Sequence, residues 1–268
     1  MTSIKNMAVS FQKINDQPPL VHHITNVVTV NDCANVTLAL GGRPVMADSP
    51  EEAGEMVSMA SSLVINIGTL HANSSKAMIN AGLKANERGI PIIFDPVGVG
   101  ATEYRKKTAD YLLKKLRCSV ICGNMSEMMA IAGEKTQARG VDSGDSMASA
   151  KKLASGLAAK LGATIAITGP RDVVSDGERT VSVANGHPML ANVTGTGCMT
   201  NSLIGVFAGS GNSPFDAAVA GIAAMGLAGE KAYQALCEGE GVGTFKVRLF
   251  DALSTLTPEE WQKGVQIY

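Results

Sequence analysis

Four short runs rich in β-branched residues recur along the chain, at 62–67, 91–95, 119–122 and 164–168. The segments between them, at 74–88, 104–116 and 145–161, carry helical periodicity and charged faces. This alternation restricts the fold more than any other feature, because parallel strands need a long crossover and a helix is the usual one. An α/β fold follows, with a mostly parallel central sheet and helices on both faces. A hairpin is expected at its end, with strands at 172–175 and 180–184 around an Asp176-Gly177 turn. Beyond Thr194 the pattern reads as helical to the end. No linker, low-complexity tract or repeat interrupts residues 1–268, which are expected to form a single domain.

Composition agrees with that plan and narrows the partners. Of the 268 residues 45% are apolar and 29 are Gly, a mixture that suits strands buried on both faces. The net charge of −1 leaves no basic footprint for nucleic acid. The clusters Arg105-Lys106-Lys107 and Lys114-Lys115 read as the solvated face of a helix. Five cysteines are an odd set with no disulfide framework, which points to a reduced, cytoplasmic setting. The N-terminus lacks a basic-then-apolar leader pattern, and the greasiest stretch, 217–229, reads as a buried helix too short for a bilayer.

Open parallel sheets bind ligands beyond the carboxyl ends of their strands. Three runs end there in polar or glycine-rich sequence: Gly68-Thr69, Asp95-Pro96-Val97-Gly98 and Gly123-Asn124. The most informative segment is Thr194-Gly195-Thr196-Gly197-Cys198-Met199-Thr200-Asn201, which leads into an apolar helix. Alternate glycines before a helix let backbone N–H groups converge on an anion, and the helix dipole favours negative charge there. A helix entry with flexible glycines is the plainer alternative. Better-known nucleotide loops are excluded, since Gly-Lys never occurs and Thr200 stands where a dinucleotide loop has its third small residue. No G-x-S-x-G elbow is present either.

Asp95 and Glu127 follow neighbouring strands, where two carboxylates can serve one Mg²⁺ that otherwise takes water and phosphate oxygens. Locally they also suit a turn before Pro96 and the first turn of a helix. Cys198, at the start of the late helix, could accept a proton, because a helix N-terminus lowers a thiol pKa. It could equally be a small buried cysteine. Cys118 with Cys122, and His22 with His23, lack the spacing or companions of metal ligands.

With these residues in place, the chain resembles the hydroxyethylthiazole kinase family of the ribokinase-like superfamily. The resemblance runs through Pro19 to Asn26, Ala34-Asn35, Leu38 to Gly41, Pro44-Val45-Met46, Ile65 to Leu70, Phe94 to Ala101, Gly123 to Glu127, Gly140-Val141-Asp142, Ile167-Thr168-Gly169 and Val193 to Cys198. It implies ATP-dependent phosphorylation of the primary alcohol of 4-methyl-5-(2-hydroxyethyl)thiazole, with Mg²⁺, in thiamine salvage. It further implies a pocket of Met46, Asn26, Gly68 and Gly195, and ATP contacts at Thr168, Asn124 and Thr196. Asp95 and Glu127 would serve the metal, Gly195 and Gly197 the transferring phosphate, and Cys198 the role that an aspartate has in many relatives. A homotrimer with sites between subunits is also implied.

Two positions depart from the family pattern. Cys122 stands where relatives have an ATP-binding arginine, and losing a charged hydrogen bond costs about 1.5–3 kcal/mol, or roughly ten- to a hundred-fold in affinity. Val242 replaces a frequent proline in the Gly241 to Phe245 loop. Two other functions fit the same fold: a catalytically weak thiazole- or nucleotide-binding protein, and a nucleotide-dependent dehydratase of hydrated nicotinamide cofactors. Dehydratases of that kind carry aspartate where this chain has Cys198.

Overall fold

A computed structural model describes residues 4–134 and 143–268. The Gly140-Val141-Asp142 block lies outside the described residues. Eight strands form one sheet: β1 (Leu20–Ile24), β2 (Arg43–Met46), β3 (Ser62–Asn66), β4 (Ile92–Asp95), β5 (Val120–Asn124), β6 (Thr164–Thr168), β7 (Asp172–Ser175) and β8 (Thr180–Val183). Their order is β2-β1-β3-β4-β5-β6-β7-β8. The first six are parallel, whereas β7 and β8 are antiparallel additions at one edge.

Alternate side chains along each strand enter different cores, as the two-residue pleat requires. On one face Val64, Ile93, Val120 and Ala166 pack with α1 (Ile4–Asp16), α2 (Val30–Ala39), α8 (Thr196–Gly209), α9 (Pro214–Gln234), α10 (Val242–Ser254) and α11 (Pro258–Gly264). On the other, Leu63, Ile65, Ile92, Phe94, Ile121 and Ile165 pack with α3 (Ala53–Val57), α4 (Ala72–Arg88), α5 (Glu103–Lys115), α6 (Met125–Ala132) and α7 (Ser143–Leu161). Helices therefore cover both faces, as the alternating pattern predicted. The 217–229 stretch is the buried middle of α9. Among the described residues no helix is long and apolar enough to cross a membrane.

Three details differ from the sequence reading. β1 and β2 were not legible as strands, because His22-His23 interrupts the apolar run of one and Pro44 lies in the other. Proline is tolerated in β2 because that strand forms the sheet edge. The chain does not end purely as helix: Ile267 bridges to Val183 and adds a short antiparallel contact beside β8. The Gly241 to Phe245 segment is the opening turn of α10 rather than a loop, with Gly241 as its N-cap.

Between β1 and β3 the connections diverge, since β1 leads out to β2 and the chain then returns to β3. Such a switch point opens a crevice at the carboxyl ends of the strands.

Candidate active site

The pleat decides which strand-end residues can meet. Asn66 shares the face of Val64, Asp95 that of Ile93, and Asn124 and Cys122 that of Val120; this is the face covered by α8. Asn66 and Asp95 are register partners on adjacent strands, so both polar groups emerge at one level. The first turn of α8 lies against them.

Cys198 is where these elements converge. Its Sγ accepts from Asn66 Nδ2 at 3.2 Å and from Asn26 Nδ2 at 3.4 Å. Asn66 Nδ2 also donates to Asp95 Oδ2 at 2.6 Å. Asn66 Oδ1 accepts from Asn26 Nδ2 at 3.0 Å and from the Gly68 N–H at 2.8 Å. All four hydrogen-bonding positions of the Asn66 amide are therefore used, which leaves it one orientation. Asn26 is held just as firmly, because its Oδ1 accepts from the N–H groups of Val28 and Thr29 and from Thr29 Oγ1.

Gly195 is the N-cap of α8 and adopts a left-handed φ of 87°. A Cβ there would lie 2.4 Å from Thr29 Cγ2, so both conformation and space demand glycine. Gly197 differs, since a Cβ there would meet nothing within 4 Å. The space above the first turn is open, and the unpaired N–H groups of that turn can receive an anion. At Gly68 a Cβ would sit 2.9 Å from Asn66 Oδ1 and 3.0 Å from Asn26 Cβ, so the β3-end backbone packs directly on the amide pair.

Electrostatics set the resting protonation. Asp95 is 3% exposed, and burial, with the Glu127 charge second, pushes its carboxyl up to about 8. Burial and the neighbouring Asp95 charge push the Cys198 thiol up to about 12. The expected lowering by the helix terminus is thus overridden, and Cys198 rests as a thiol. Glu127 has both oxygens engaged: Oε2 accepts from the Asn124 N–H at 2.8 Å and Oε1 from the Gly98 N–H at 2.9 Å. Its first-turn capping role and its position between two strand ends are both real.

The remaining expected residues fall along the carboxyl edge in order. Met46 ends β2, Asn26 follows β1, Gly68 follows β3, and Asp95, Asn124 and Thr168 end β4, β5 and β6. Asn124 and Thr168 are register partners. Asn124 Oδ1 caps α6 by accepting from the Glu127 N–H at 3.0 Å. Thr196 Oγ1 donates to the Leu190 carbonyl at 3.1 Å, so its hydroxyl proton is already used. Cys122 is 1% exposed and packs in the core on the α8 face, whereas Cys118 belongs to the opposite core. His22 and His23 are buried and directed to the Ala47 carbonyl and Ser202 Oγ. Burial lowers His23 to about 3, so it is neutral.

Sequence reasoning included Asn66 only within the Ile65 to Leu70 block of the resemblance and gave it no role in the site. It also misjudged Arg105. The residue is half-buried, and its guanidinium donates to the carbonyls of Ile67, Val97 and Gly68 at 2.8, 2.8 and 2.6 Å. Its neighbours Lys106 and Lys107 are exposed, as expected of a solvated face.

The family model described as the hydroxyethylthiazole kinase family matches residues 11–259. A hydroxyethylthiazole kinase of Alkaliphilus oremlandii is 50% identical over 262 residues, which cover 97% of each chain. The solved structure of a hydroxyethylthiazole kinase from Pyrococcus horikoshii superposes with a TM-score of 0.90 at 38% identity, covering 98% of each chain. A ribokinase-like superfamily protein of Enterococcus faecalis is similar in fold alone, with a TM-score of 0.64 and 14% identity over 94% of this chain and 89% of that one.

Proposed function

Since this chain belongs to the hydroxyethylthiazole kinase family and is a kinase, we propose that the edge residues form a relay in which ATP at β5 and β6 meets the thiazole at β2, β1 and β3. The enzyme phosphorylates the primary alcohol of 4-methyl-5-(2-hydroxyethyl)thiazole with ATP as co-substrate. The observation that carries the layout is the convergence of Asn26, Asn66 and Asp95 on Cys198 beneath the Gly195 turn. It lies midway along that row, where phosphoryl donor and acceptor must come together.

In this arrangement Met46, Asn26, Gly68 and Gly195 bound the thiazole, while Thr168, Asn124 and the Thr196 backbone bound the nucleotide. The α8 N-terminus around Gly195 and Gly197 receives the transferring phosphoryl group, whose charge must be offset as it moves. Cys198 faces the acceptor hydroxyl and takes its proton. A thiol pushed up to about 12, by burial first and by Asp95 second, must give up its own proton before it can accept another, so bound substrates have to change its surroundings first. A loose transition state leaves little such work for a base.

Asp95 and Glu127 suit Mg²⁺. They are two carboxylates close enough that the Glu127 charge adds to burial in raising Asp95. Few carboxylates with phosphate and water completing the shell is the Mg²⁺ pattern. The ion would neutralise phosphate charge; the chain's part is to hold Asp95 through Asn66 and Glu127 through the Gly98 and Asn124 amides.

Residues 1–268 are read as one domain, supported by the single sheet, and as acting in the cytoplasm, a reading supported by the free cysteines. A homotrimer with sites between subunits is the assembly the family resemblance implies; Val27 and Val28, 71% and 63% exposed immediately beside the buried Asn26, offer a small apolar surface that a second copy could cover. An ADP-release assay over a panel of small alcohols tests the reading. Release that requires hydroxyethylthiazole is expected. Turnover of another alcohol alone would reassign the substrate, and thiazole binding without ADP release would make the chain a binding protein.

A further inference from the structure

Arg105 is the third residue of α5, and its own N–H is used at the helix cap by Thr102 Oγ1 at 3.3 Å. Its side chain reaches back across two strand-end segments. Nη1 donates to both the Ile67 and the Val97 carbonyls, and Nη2 donates to the Gly68 carbonyl. The Ile67 carbonyl and the Gly68 N–H belong to one peptide unit, and that N–H donates to Asn66 Oδ1. The Val97 carbonyl and the Gly98 N–H belong to another, and that N–H donates to Glu127 Oε1. One guanidinium nitrogen therefore grips the carbonyl ends of two peptide planes whose N–H ends touch side chains of the site. A cation on a carbonyl also polarises its peptide and strengthens the bond made by the N–H.

We propose that Arg105 is a positioning residue of the phosphoryl-transfer site, setting the separation of the Gly68 and Gly98 peptides and, through them, the placement of Asn66 and Glu127. The proposal rests on the thiazole-kinase reading for its catalytic consequence. The planar fork matters. Three carbonyls from two segments are met by two nitrogens held at fixed spacing, an arrangement that the single ammonium of lysine cannot copy. Its three side-chain hydrogen bonds go to backbone carbonyls, so its effect passes through the backbone it holds.

The test compares Arg105→Ala, Arg105→Lys and Lys107→Ala by thiazole-dependent ADP release, melting temperature and rescue with millimolar methylguanidinium. Arg105→Ala is expected to lose about ten- to a hundred-fold in kcat/KM, the range for residues that orient the groups around a reacting centre. The KM for thiazole should rise more than that for ATP, and methylguanidinium should restore part of the rate without raising the melting temperature to match. Lys107→Ala, altered on the exposed part of the same helix, should be unchanged with or without the additive. Normal kcat/KM in Arg105→Ala overturns the proposal, as does a loss explained by unfolded protein and not rescued. If Arg105→Ala does not fold, Arg105→Lys decides: full activity overturns the proposal, and lowered kcat/KM at an unchanged melting temperature supports it.

If the wild-type protein fails to turn over the thiazole, the reaction reading fails by itself. Amide hydrogen exchange then judges the clasp. Faster exchange at Gly68 and Gly98 in the folded Arg105 variant, reversed by methylguanidinium, supports it; unchanged exchange overturns it.

Discussion

Asn66 and Asp95 sit opposite each other on adjacent parallel strands, and the Asn66 amide donates to the Asp95 carboxylate across 2.6 Å. The same nitrogen reaches Cys198, so one side chain sets the distance between an acid and a thiol that come from distant parts of the chain. Replacing it with Asn66→Ala should cost about 1–3 kcal/mol in stability, since buried partners lose their bonds. The rate should fall about ten- to a hundred-fold. Chemical denaturation with steady-state kinetics checks both; unchanged kcat would reduce Asn66 to a packing role.

Cys198→Ala should fold with little change in melting temperature and lose about a hundred-fold or more in kcat, the lower range for removal of a positioned base. Cys198→Asp should remain active, because a carboxylate can accept the same bonds from Asn26 and Asn66. Equal kcat in Cys198→Ala and wild type would show that the thiol only packs.

The two loop glycines should separate cleanly. Gly195→Ala introduces a Cβ against Thr29 at a left-handed φ and should lower the melting temperature and activity together. Gly197→Ala meets open space, so stability should hold while KM for ATP rises or kcat falls. Full activity in Gly197→Ala would move the phosphate site elsewhere.

Asp172 supplies a pH test away from the proposed metal ligands. Its Oδ1 accepts from the Gly169 N–H, and burial pushes its carboxyl up to about 7 from 3.8. The folded protein then holds a proton that the unfolded chain releases above about pH 4, so this group contributes stability at low pH that is lost as pH rises towards 7. Asp172→Asn keeps an acceptor and cannot ionise. Its stability relative to wild type should increase between pH 4 and pH 8, by the order of 1–3 kcal/mol. Parallel stability–pH curves for the two proteins would contradict the shift.

Val28→Asp puts a charge on an exposed apolar position two residues from Asn26. If a second copy covers this surface, light scattering should show smaller species than for wild type, with a matching loss of thiazole turnover. A wild-type monomer with full activity would remove the basis for shared sites.

By itself the sequence determined the layer plan, because strand and helix periods are local and burial on two faces leaves an apolar run that is easy to read. It also singled out the Gly195 turn, although paired glycines before an apolar helix fit a plain helix entry as well as an anion site, and the block-by-block resemblance carried the chemistry. It did not reveal β1, whose buried histidines look polar until Ala47 and Ser202 are seen to satisfy them. Only the tertiary structure decided that Asn66 would be the junction of the site and that Arg105 would leave the solvated face of its helix. Both depend on carbonyls, amides and a sulfur brought together by strand register and by α8 crossing the strand ends. Contacts of that kind leave no periodic trace, because most of the partners, Asp95 and Cys198 for Asn66 and Ile67 and Gly68 for Arg105, lie tens of residues or more away along the chain. The resting state of Cys198 was settled the same way: a helix terminus favours thiolate locally, but burial beside Asp95 outweighs it.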